Sequence, residues 1–322
     1  MACKKSSQPI TKPLIPATPT TIDSNVYFVG TSSGAYPNNE PVATDWKNGV
    51  ATVLDNYLNG SSEASAIALM GNDVYIAGYT PSGTYNRAVY WKNDVLAGLA
   101  SAAASASANA IVTNSTDVYV GGFATATNGS LQATVWKNGA PTTVTPDNST
   151  TGSEANAVAV NGTDVYMAGF IFDSNKGYYE AVYWKNGIET ILSSDNSGSV
   201  ANGIAVSGND VYVVGFDKYQ ATLWKNGQPT TLSTANGSFA NAIALNGSDI
   251  YVAGTINGVA AYWKNGTTTV LQGGTSAPSN DLANAIAVDA SGDVYVAGGL
   301  THQVIQYIGE TAQQSNSQRQ RL

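Results

Sequence analysis

Residues with the chemistry for catalysis are scarce in this sequence. Gly30-Thr31-Ser32-Ser33-Gly34 matches the G-x-S-x-G nucleophile pattern, and His302 follows it along the chain. That pattern requires a strand, a sharp turn and then a helix. Here Gly30 ends a repeated strand-like piece and no helical pattern follows, so we interpret the match as chance.

Metal and carboxylate chemistry are equally poorly supported. Cys3 and His302 are the single cysteine and the single histidine, which excludes a His/Cys zinc site. The segment Asp173-Ser174-Asn175-Lys176-Gly177 has too few acids for a calcium loop. We therefore expect no metal and no cofactor. The acids expected near one face have separations that the sequence does not give, so a glycosidase pair is not evident. These acids are Glu63, Glu154, Asp173, Glu180 and Asp281.

Composition narrows the functional classes further. The net charge of −8 argues against nucleic acid, because such binding depends on Lys and Arg neutralising phosphates. Only 11% of residues are charged, yet 43% are apolar, which argues against disorder. No run reaches the roughly 18 apolar residues of a membrane helix.

A repeat supplies the elements that position these side chains. The stretch Ala283–Gly298 reads ANAIAVDASGDVYVAG, and its second half recurs at six earlier places. The tyrosines of the seven copies, at 27, 75, 119, 166, 212, 251 and 295, are 39 to 48 residues apart. Each unit has four strand-like pieces, and Asn-Gly between pieces is a strong hairpin signal. Four antiparallel strands in each 40–50-residue unit are typical of a β-propeller blade.

The sequence therefore predicts an all-β fold, a seven-bladed β-propeller of four-stranded antiparallel blades, closed by the N-terminal segment. In this closure Lys12–Ile15 is the outer strand of blade seven, and Thr18–Ile22 is the inner strand of blade one. The predicted boundaries are a flexible tether over 1–11, one propeller over 12–308 and a polar tail over 309–322.

Three side chains recur at fixed repeat positions. The tryptophans of Trp-Lys-Asn-Gly could stack on sugars, but we expect them to pack between blades. We expect the adjacent lysines to pair with the Asp of the neighbouring strand; Asp293 should lack such a partner because Ile308 replaces the lysine. The inner-strand asparagines should line or flank the channel, holding a ligand or satisfying backbone groups. They are Asn109, Asn156, Asn202, Asn241 and Asn284.

The segment AIAVDASGDVYVAG resembles the seven-bladed propeller repeat of bacterial secreted and surface proteins, the SBBP-type repeat. The likeness covers residues 23–308. It implies the propeller fold and an extracellular setting but no reaction, since such repeats serve many proteins.

The start of the chain resembles a mature bacterial lipoprotein. In Met1-Ala2-Cys3-Lys4-Lys5-Ser6 a small residue precedes the cysteine, and a Pro/Thr-rich segment follows. We expect a lipid on Cys3 and a place in the bacterial cell envelope, at the outer surface or in the periplasm. A stray cysteine in a loose terminus is the alternative.

Function is expected on the face that carries variable loops. The loops after the DVYVAG strands range from four residues in blade six to thirteen in blade one, whereas the Asn-Gly turns are all short. We predict a non-catalytic binding or scaffold propeller; a lectin and a polysaccharide hydrolase or lyase are the alternatives. We expect a monomer whose partner is a glycan or another surface protein, with membrane contact only through the lipid. The expected ligand-binding residues are Tyr36, Tyr85, Arg87, Asp173, Tyr178, Tyr179 and Glu180.

Overall fold

The repeats form four-stranded antiparallel sheets because each contains tight turns that reverse the chain. In the third-to-fourth-strand turn of one repeat, Asn186 has a φ of 51° and Gly187 a φ of 83°. This is the left-handed region that Asn and Gly tolerate best. The structure, a computed structural model, describes residues 3–5, 25–33, 40–55, 60–100, 105–144, 150–193, 198–271, 282–300, 303–304 and 307–308.

Six sheets are complete blades whose strands follow chain order from one edge to the other. Blades 1 and 2 are β1 (Cys3–Lys5), β2 (Val26–Ser33), β3 (Pro41–Lys47), β4 (Val50–Val53) and β5 (Glu63–Met70), β6 (Asp73–Ser82), β7 (Tyr85–Lys92), β8 (Val95–Gly98). Blades 3 and 4 are β9 (Ala106–Thr113), β10 (Val118–Thr125), β11 (Leu131–Lys137), β12 (Ala140–Thr143) and β13 (Thr150–Asn161), β14 (Asp164–Asp173), β15 (Tyr178–Lys185), β16 (Ile188–Ile191). Blades 5 and 6 are β17 (Ser199–Ser207), β18 (Asp210–Asp217), β19 (Gln220–Lys225), β20 (Gln228–Thr231) and β21 (Ser238–Asn246), β22 (Asp249–Ile256), β23 (Val259–Lys264), β24 (Thr267–Val270). The last sheet contains β25 (Leu282–Val288), β26 (Val294–Leu300), β27 (Gln303–Val304) and β28 (Tyr307–Ile308).

The prediction of seven four-stranded blades is wrong, because the described residues form six complete blades. In the last sheet β27 and β28 both pair with β26, one after the other, so its described residues fill three strand positions. A physical reason is visible in the sequence. The residues after Ile308 lack the alternating apolar pattern that an outer strand needs to pack on a neighbour.

The predicted inner strand of blade one is also wrong. The position assigned to Thr18–Ile22 beside β2 is occupied by Cys3–Lys5, which pairs with Val26–Phe28. These three residues fall within the span predicted as a flexible tether, and they cover backbone groups of β2 that would otherwise lie at a sheet edge. Lys12–Ile15 and Thr18–Ile22 themselves lie outside the described residues.

The ring closes by packing of the first blade on the last sheet. Phe28 and Trp46 of blade 1 form one buried cluster with Ala285, Tyr295 and Ala297 of the last sheet. Similar clusters fill the other interfaces between neighbouring sheets. The core is therefore a ring of inter-blade layers. The described part of the chain contains no helix with the length and apolar character that a membrane crossing needs.

The tryptophans lie inside these layers, as predicted. Trp91, Trp136, Trp184, Trp224 and Trp263 are fully buried, and Trp46 is 7% exposed. Some also tie blades together through the indole: Trp91 Nε1 donates to the carbonyl oxygen of Leu54 in blade 1 at 3.0 Å. They are not available as sugar-stacking platforms.

A bulge near the start of the inner strand explains two repeated residues at once. In blade 4 the pairing shifts between Ala155 and Ala157, which leaves Asn156 as the extra residue. The bulge brings the inner strand against Gly169 of β14. A Cβ there would overlap the carbonyl oxygen of Glu154. Five other sheets share this overlap at the equivalent glycine, so the final Gly of DVYVAG is a close-approach position. These glycines are Gly78, Gly122, Gly215, Gly254 and Gly298.

Candidate functional site

The hairpin face, where the Asn-Gly turns lie, carries a repeated charged unit. In blade 4, Lys185 Nζ lies 2.8 Å from Asp164 Oδ2 and 5.3 Å from the centre of the Tyr166 ring. Asn186 donates to Asp164 Oδ1 at 2.8 Å and accepts from the Val165 amide at 2.9 Å. The hydrogen bond from Lys185, followed by that from Asn186, lowers the pKa of the Asp164 carboxyl.

The Lys–Asp pairing predicted from the sequence is confirmed in five blades. The other four pairs are Lys92–Asp73, Lys137–Asp117, Lys225–Asp210 and Lys264–Asp249. In the last sheet Ile308 pairs with Tyr295, where blade 4 pairs Lys185 with Tyr166. Because the charges of these five units neutralise one another locally, the hairpin face offers little to a charged ligand.

The inner strands are joined across the blades by a Ser-x-Ala-Asn unit. Ser199 Oγ accepts from the Ala181 amide of the preceding blade at 2.8 Å, and Asn202 Nδ2 donates to the Ala240 carbonyl of the following blade at 3.0 Å. Other blades repeat the serine contact at Ser62, Ser153 and Ser238. Asn109, Asn156 and Asn241 repeat the asparagine contact. Asn284 occupies the same bulge in the last sheet and is exposed. Four of the five asparagines that were predicted to line or flank the channel thus satisfy backbone carbonyls of a neighbouring blade.

The Glu154 carboxyl group also takes part in the hydrogen bonds between inner strands. Asn109 Nδ2 donates to Glu154 Oε1 at 2.8 Å, and Ser107 Oγ donates to Asn109 Oδ1 at 2.9 Å. Burial raises the pKa of the Glu154 carboxyl, and the Asn109 hydrogen bond partly opposes that shift. Glu63 occupies the same repeat position in blade 2.

The loop face, opposite the hairpin face, carries a row of aromatic side chains. The residue after the strand-end glycine is aromatic in four consecutive blades, and we call this set the aromatic arc. The arc consists of Tyr79, Phe123, Phe170 and Phe216. Tyr166 and Ala168 pack toward blade 5, and side chains alternate along a strand. Phe170 therefore projects to the same side. Each member of the arc lies at the top of one inter-blade layer.

An exposed tyrosine covers the arc in blade 4. The ring of Tyr179 lies 4.8 Å from that of Phe170 and 5.5 Å from that of Phe172, edge-on to both. Tyr179 is nevertheless 49% exposed. The two phenylalanines thus support one aromatic ring that remains open to solvent.

A second exposed tyrosine covers the arc in blade 5. Tyr219 is 59% exposed and stacks on Phe216 at 6.1 Å, while Phe216 meets Phe239 of blade 6 edge-on at 5.1 Å. Tyr219 and Lys218 have φ values of 59° and 53°, which cost roughly 1–2 kcal/mol each for such residues. The Tyr219 carbonyl accepts from the amides of Gly237 and Ser238 at 2.9 and 3.2 Å, which holds the turn.

The structure separates the residues expected to bind ligand. Val89 packs toward blade 1, so Tyr85 and Arg87 of the same strand project to that side. Val182 packs toward blade 3, so Tyr178 and Glu180 project there, away from Tyr179. Glu180 is 2% exposed and bonded to Lys176 at 2.6 Å. Lys176, Tyr178 and Glu180 therefore form one group and Tyr85 with Arg87 another. Asp173 ends β14, and Tyr36 lies outside the described residues.

Sequence reasoning missed the arc and Tyr219. Aligning the repeats on the strand-end glycine would have revealed the arc, because Thr31, Thr255 and Gly299 occupy this place in the remaining sheets. Tyr219 had a weaker signal: Lys218-Tyr219 stands at a two-residue turn, where Asn-Gly would be the relaxed choice.

Other chemistry finds little support in the described ranges. They contain no group of three or more His, Cys, Asp or Glu side chains placed to hold a metal ion. Ser32 of the G-x-S-x-G match lies within β2, where its Oγ is 2.8 Å from Thr44 Oγ1. His302 lies outside the described residues.

Comparison with solved structures supports the β-propeller fold. YCF48 bound to a D1 peptide is similar over 90% of both chains, with 11% identity and a TM-score of 0.53. The extracellular domain of a one-component system from B. thetaiotaomicron is similar over 83% of this chain and 37% of its own, with 12% identity and a TM-score of 0.47. A Trypanosoma rangeli sialidase mutant is similar over 87% of this chain and 51% of its own, at 9% identity and a TM-score of 0.46. The chain thus spans about half or less of the latter two proteins.

No protein-family model matches the chain, and no curated protein matches it. At these identities the similarity to solved structures shows the fold alone. The chain is a β-propeller, and its SBBP-type assignment stays a prediction.

Proposed function

We propose that the protein is a non-catalytic binding module that takes its ligand on the loop face, along the aromatic arc. The observation that carries this proposal is the pair of exposed tyrosines, Tyr179 and Tyr219, each supported by a phenylalanine of the arc. Solvent-exposed aromatic rings clustered on one side of a rigid scaffold are typical of recognition surfaces.

The energetics of the Tyr219 turn support the same proposal. Two non-glycine residues with positive φ are costly, and such strain tends to persist where function uses it. An Asn-Gly turn would relieve the strain but would remove the ring from Phe216. Because the turn is held by backbone bonds to the next blade, the ring is ordered before any ligand arrives, which reduces the entropy lost on binding.

The test measures binding of the full chain to two probe panels, one of oligosaccharides and one of 15-residue peptides. The double variant Tyr179→Ala/Tyr219→Asn removes both rings, and Asn is chosen at 219 because it tolerates positive φ. Ile188→Ala, which trims a 74%-exposed rim residue of blade 4, is the control. We expect a probe that binds the parent and the control but not the double variant. Absence of binding to both panels, or binding that survives in the double variant, would refute the proposal.

A polysaccharide hydrolase is the second candidate, and Glu154 is the observation that favours it. Its pKa is raised by burial, as a general acid requires, and it lies on the inner strand at the loop face. The assay is release of reducing ends from neutral and acidic polysaccharides, with Glu154→Gln as the inactive control. Absence of product with every substrate would exclude this candidate.

We also propose that Cys3 is lipidated and that the protein resides in the bacterial cell envelope, as its N-terminal sequence suggests. Metabolic labelling with an alkynyl fatty acid should mark the full-length protein and spare Cys3→Ser. Equal labelling of both would contradict the proposal.

A further inference from the structure

We infer that the ligand of the aromatic arc is a neutral glycan chain, bound across the two exposed tyrosines on blades 4 and 5. This inference rests on the proposed function and adds the chemical class of the ligand.

The rings of Tyr179 and Tyr219 lie above two consecutive inter-blade layers. Ala181 packs toward blade 5, so Tyr179, two residues earlier in the same strand, lies above the layer between blades 4 and 5. Val214 packs toward blade 6, so Phe216 and the stacked Tyr219 lie above the layer between blades 5 and 6. A ligand that contacts both rings must therefore extend over blade 5, as an oligomer of several units does.

The chemistry of the rings suits a pyranose. The face of an aromatic ring carries partial negative charge, and the axial C–H bonds on one face of a β-linked glucose or N-acetylglucosamine unit carry partial positive charge. The tyrosine hydroxyl adds a donor and acceptor for the hydroxyls of the sugar.

The charges near the rings favour a neutral ligand over a charged one. Asp217, close to Tyr219, already accepts a hydrogen bond from Ser193 at 2.8 Å, so it offers little to a basic peptide. The net charge of −8 works against an acidic polymer at long range. A chain without charge avoids both costs.

The experiment is isothermal titration of the full chain with four probes. Cellohexaose and chitohexaose are the neutral glycans, hexagalacturonate is the anionic one, and a lysine-rich 15-residue peptide represents a basic protein segment. The variants are Tyr179→Ala, Tyr219→Asn and their combination. Tyr179→Phe keeps the ring without its hydroxyl, and Ile188→Ala is the control for the loss of exposed apolar surface. The melting temperature of each variant shows that it folds.

We expect at least one neutral glycan to bind the parent more tightly than either charged probe. Each loss of a ring should weaken that binding about 2- to 13-fold, since such ring contacts contribute about 0.5–1.5 kcal/mol. Tyr179→Phe should weaken binding less than Tyr179→Ala, and Ile188→Ala should stay within about twofold of the parent. Binding of the peptide or of hexagalacturonate in preference to the neutral glycans would overturn this inference but leave the proposed function in place. Absence of binding to all four probes and to both panels above would refute both.

Discussion

The close approach at the strand-end glycines gives the sharpest prediction about the scaffold. In blade 2, a Cβ on Gly78 would overlap the carbonyl oxygen of Glu63 and come within 3.1 Å of the Trp91 ring. The oxygen belongs to the backbone of the bulged inner strand, so it must withdraw by more than about 1 Å to reach the 3.0 Å that Cβ contacts respect. Such overpacking of a buried site should cost about 3–5 kcal/mol in the Gly78→Ala variant.

Gly98 provides a matched control in the same blade. A Cβ there meets nothing within 4 Å, and its φ lies outside the range that disfavours a side chain. Gly98→Ala should therefore change the free energy of unfolding by less than about 1 kcal/mol. For a chain of this size each kcal/mol shifts the melting temperature by about 2–4 °C. Differential scanning calorimetry should place Gly78→Ala about 6–20 °C below the parent and Gly98→Ala within about 4 °C of it. Equal melting temperatures for the two variants would refute the close-approach argument.

Three further predictions concern polar groups. Burial, with repulsion from Asp94, raises the pKa of Asp45 to about 6, so its ionisation opposes folding. The free energy of unfolding should therefore fall as pH rises from about 4 through 6. Urea titrations of Asp45→Asn should lack this part of the pH dependence and give about 1–3 kcal/mol more stability at pH 7.5. An unchanged pH dependence in the variant would contradict this. Asn226 has a φ of 51° and accepts a hydrogen bond from the Val211 amide. Because Gly tolerates this φ and Ala does not, Asn226→Ala should lower the free energy of unfolding by about 1 kcal/mol more than Asn226→Gly does. Equal losses for the two variants in urea unfolding would argue against this reasoning. Ser238 is buried and accepts from an amide of blade 5, so Ser238→Ala should cost about 1–3 kcal/mol by calorimetry, and a neutral effect would show that the amide finds another partner.

Local features of the fold were predictable because the repeat states them several times. The Asn-Gly turns, the buried tryptophans and the Lys–Asp pairs each recur at a fixed place in the unit. Each of these features also depends on short-range interactions: within a turn, between two adjacent strands, or between an aromatic ring and the next sheet. A single copy would have given a weak prediction, and seven aligned copies gave a strong one.

The features that were missed depend on long-range arrangement. Cys3–Lys5 pairs with the inner edge of β2 through backbone groups, and the hydrophobic pattern of the sequence did not identify this segment. The predicted number of complete blades was wrong because seven copies of the second strand do not guarantee seven outer strands. Facing direction was missed as well: Tyr178 and Tyr179 are adjacent in sequence but project to opposite sides of their blade. Side chains alternate between the two faces of the sheet along β15, which separates the two tyrosines. The prediction grouped residues by loop and did not take this alternation into account.

The seam between the first blade and the last sheet has a consequence for the order of folding. Each blade forms from strands that are neighbours along the chain, so its loop-closure entropy is small. Bringing Phe28 against Tyr295 instead closes a loop that contains almost the whole chain. The contacts that offset this loss of entropy lie in a single buried cluster. We therefore expect the blades to assemble in succession and the ring to close last. Stopped-flow refolding should then show a final phase that slows in Phe28→Ala, while earlier phases keep their rates.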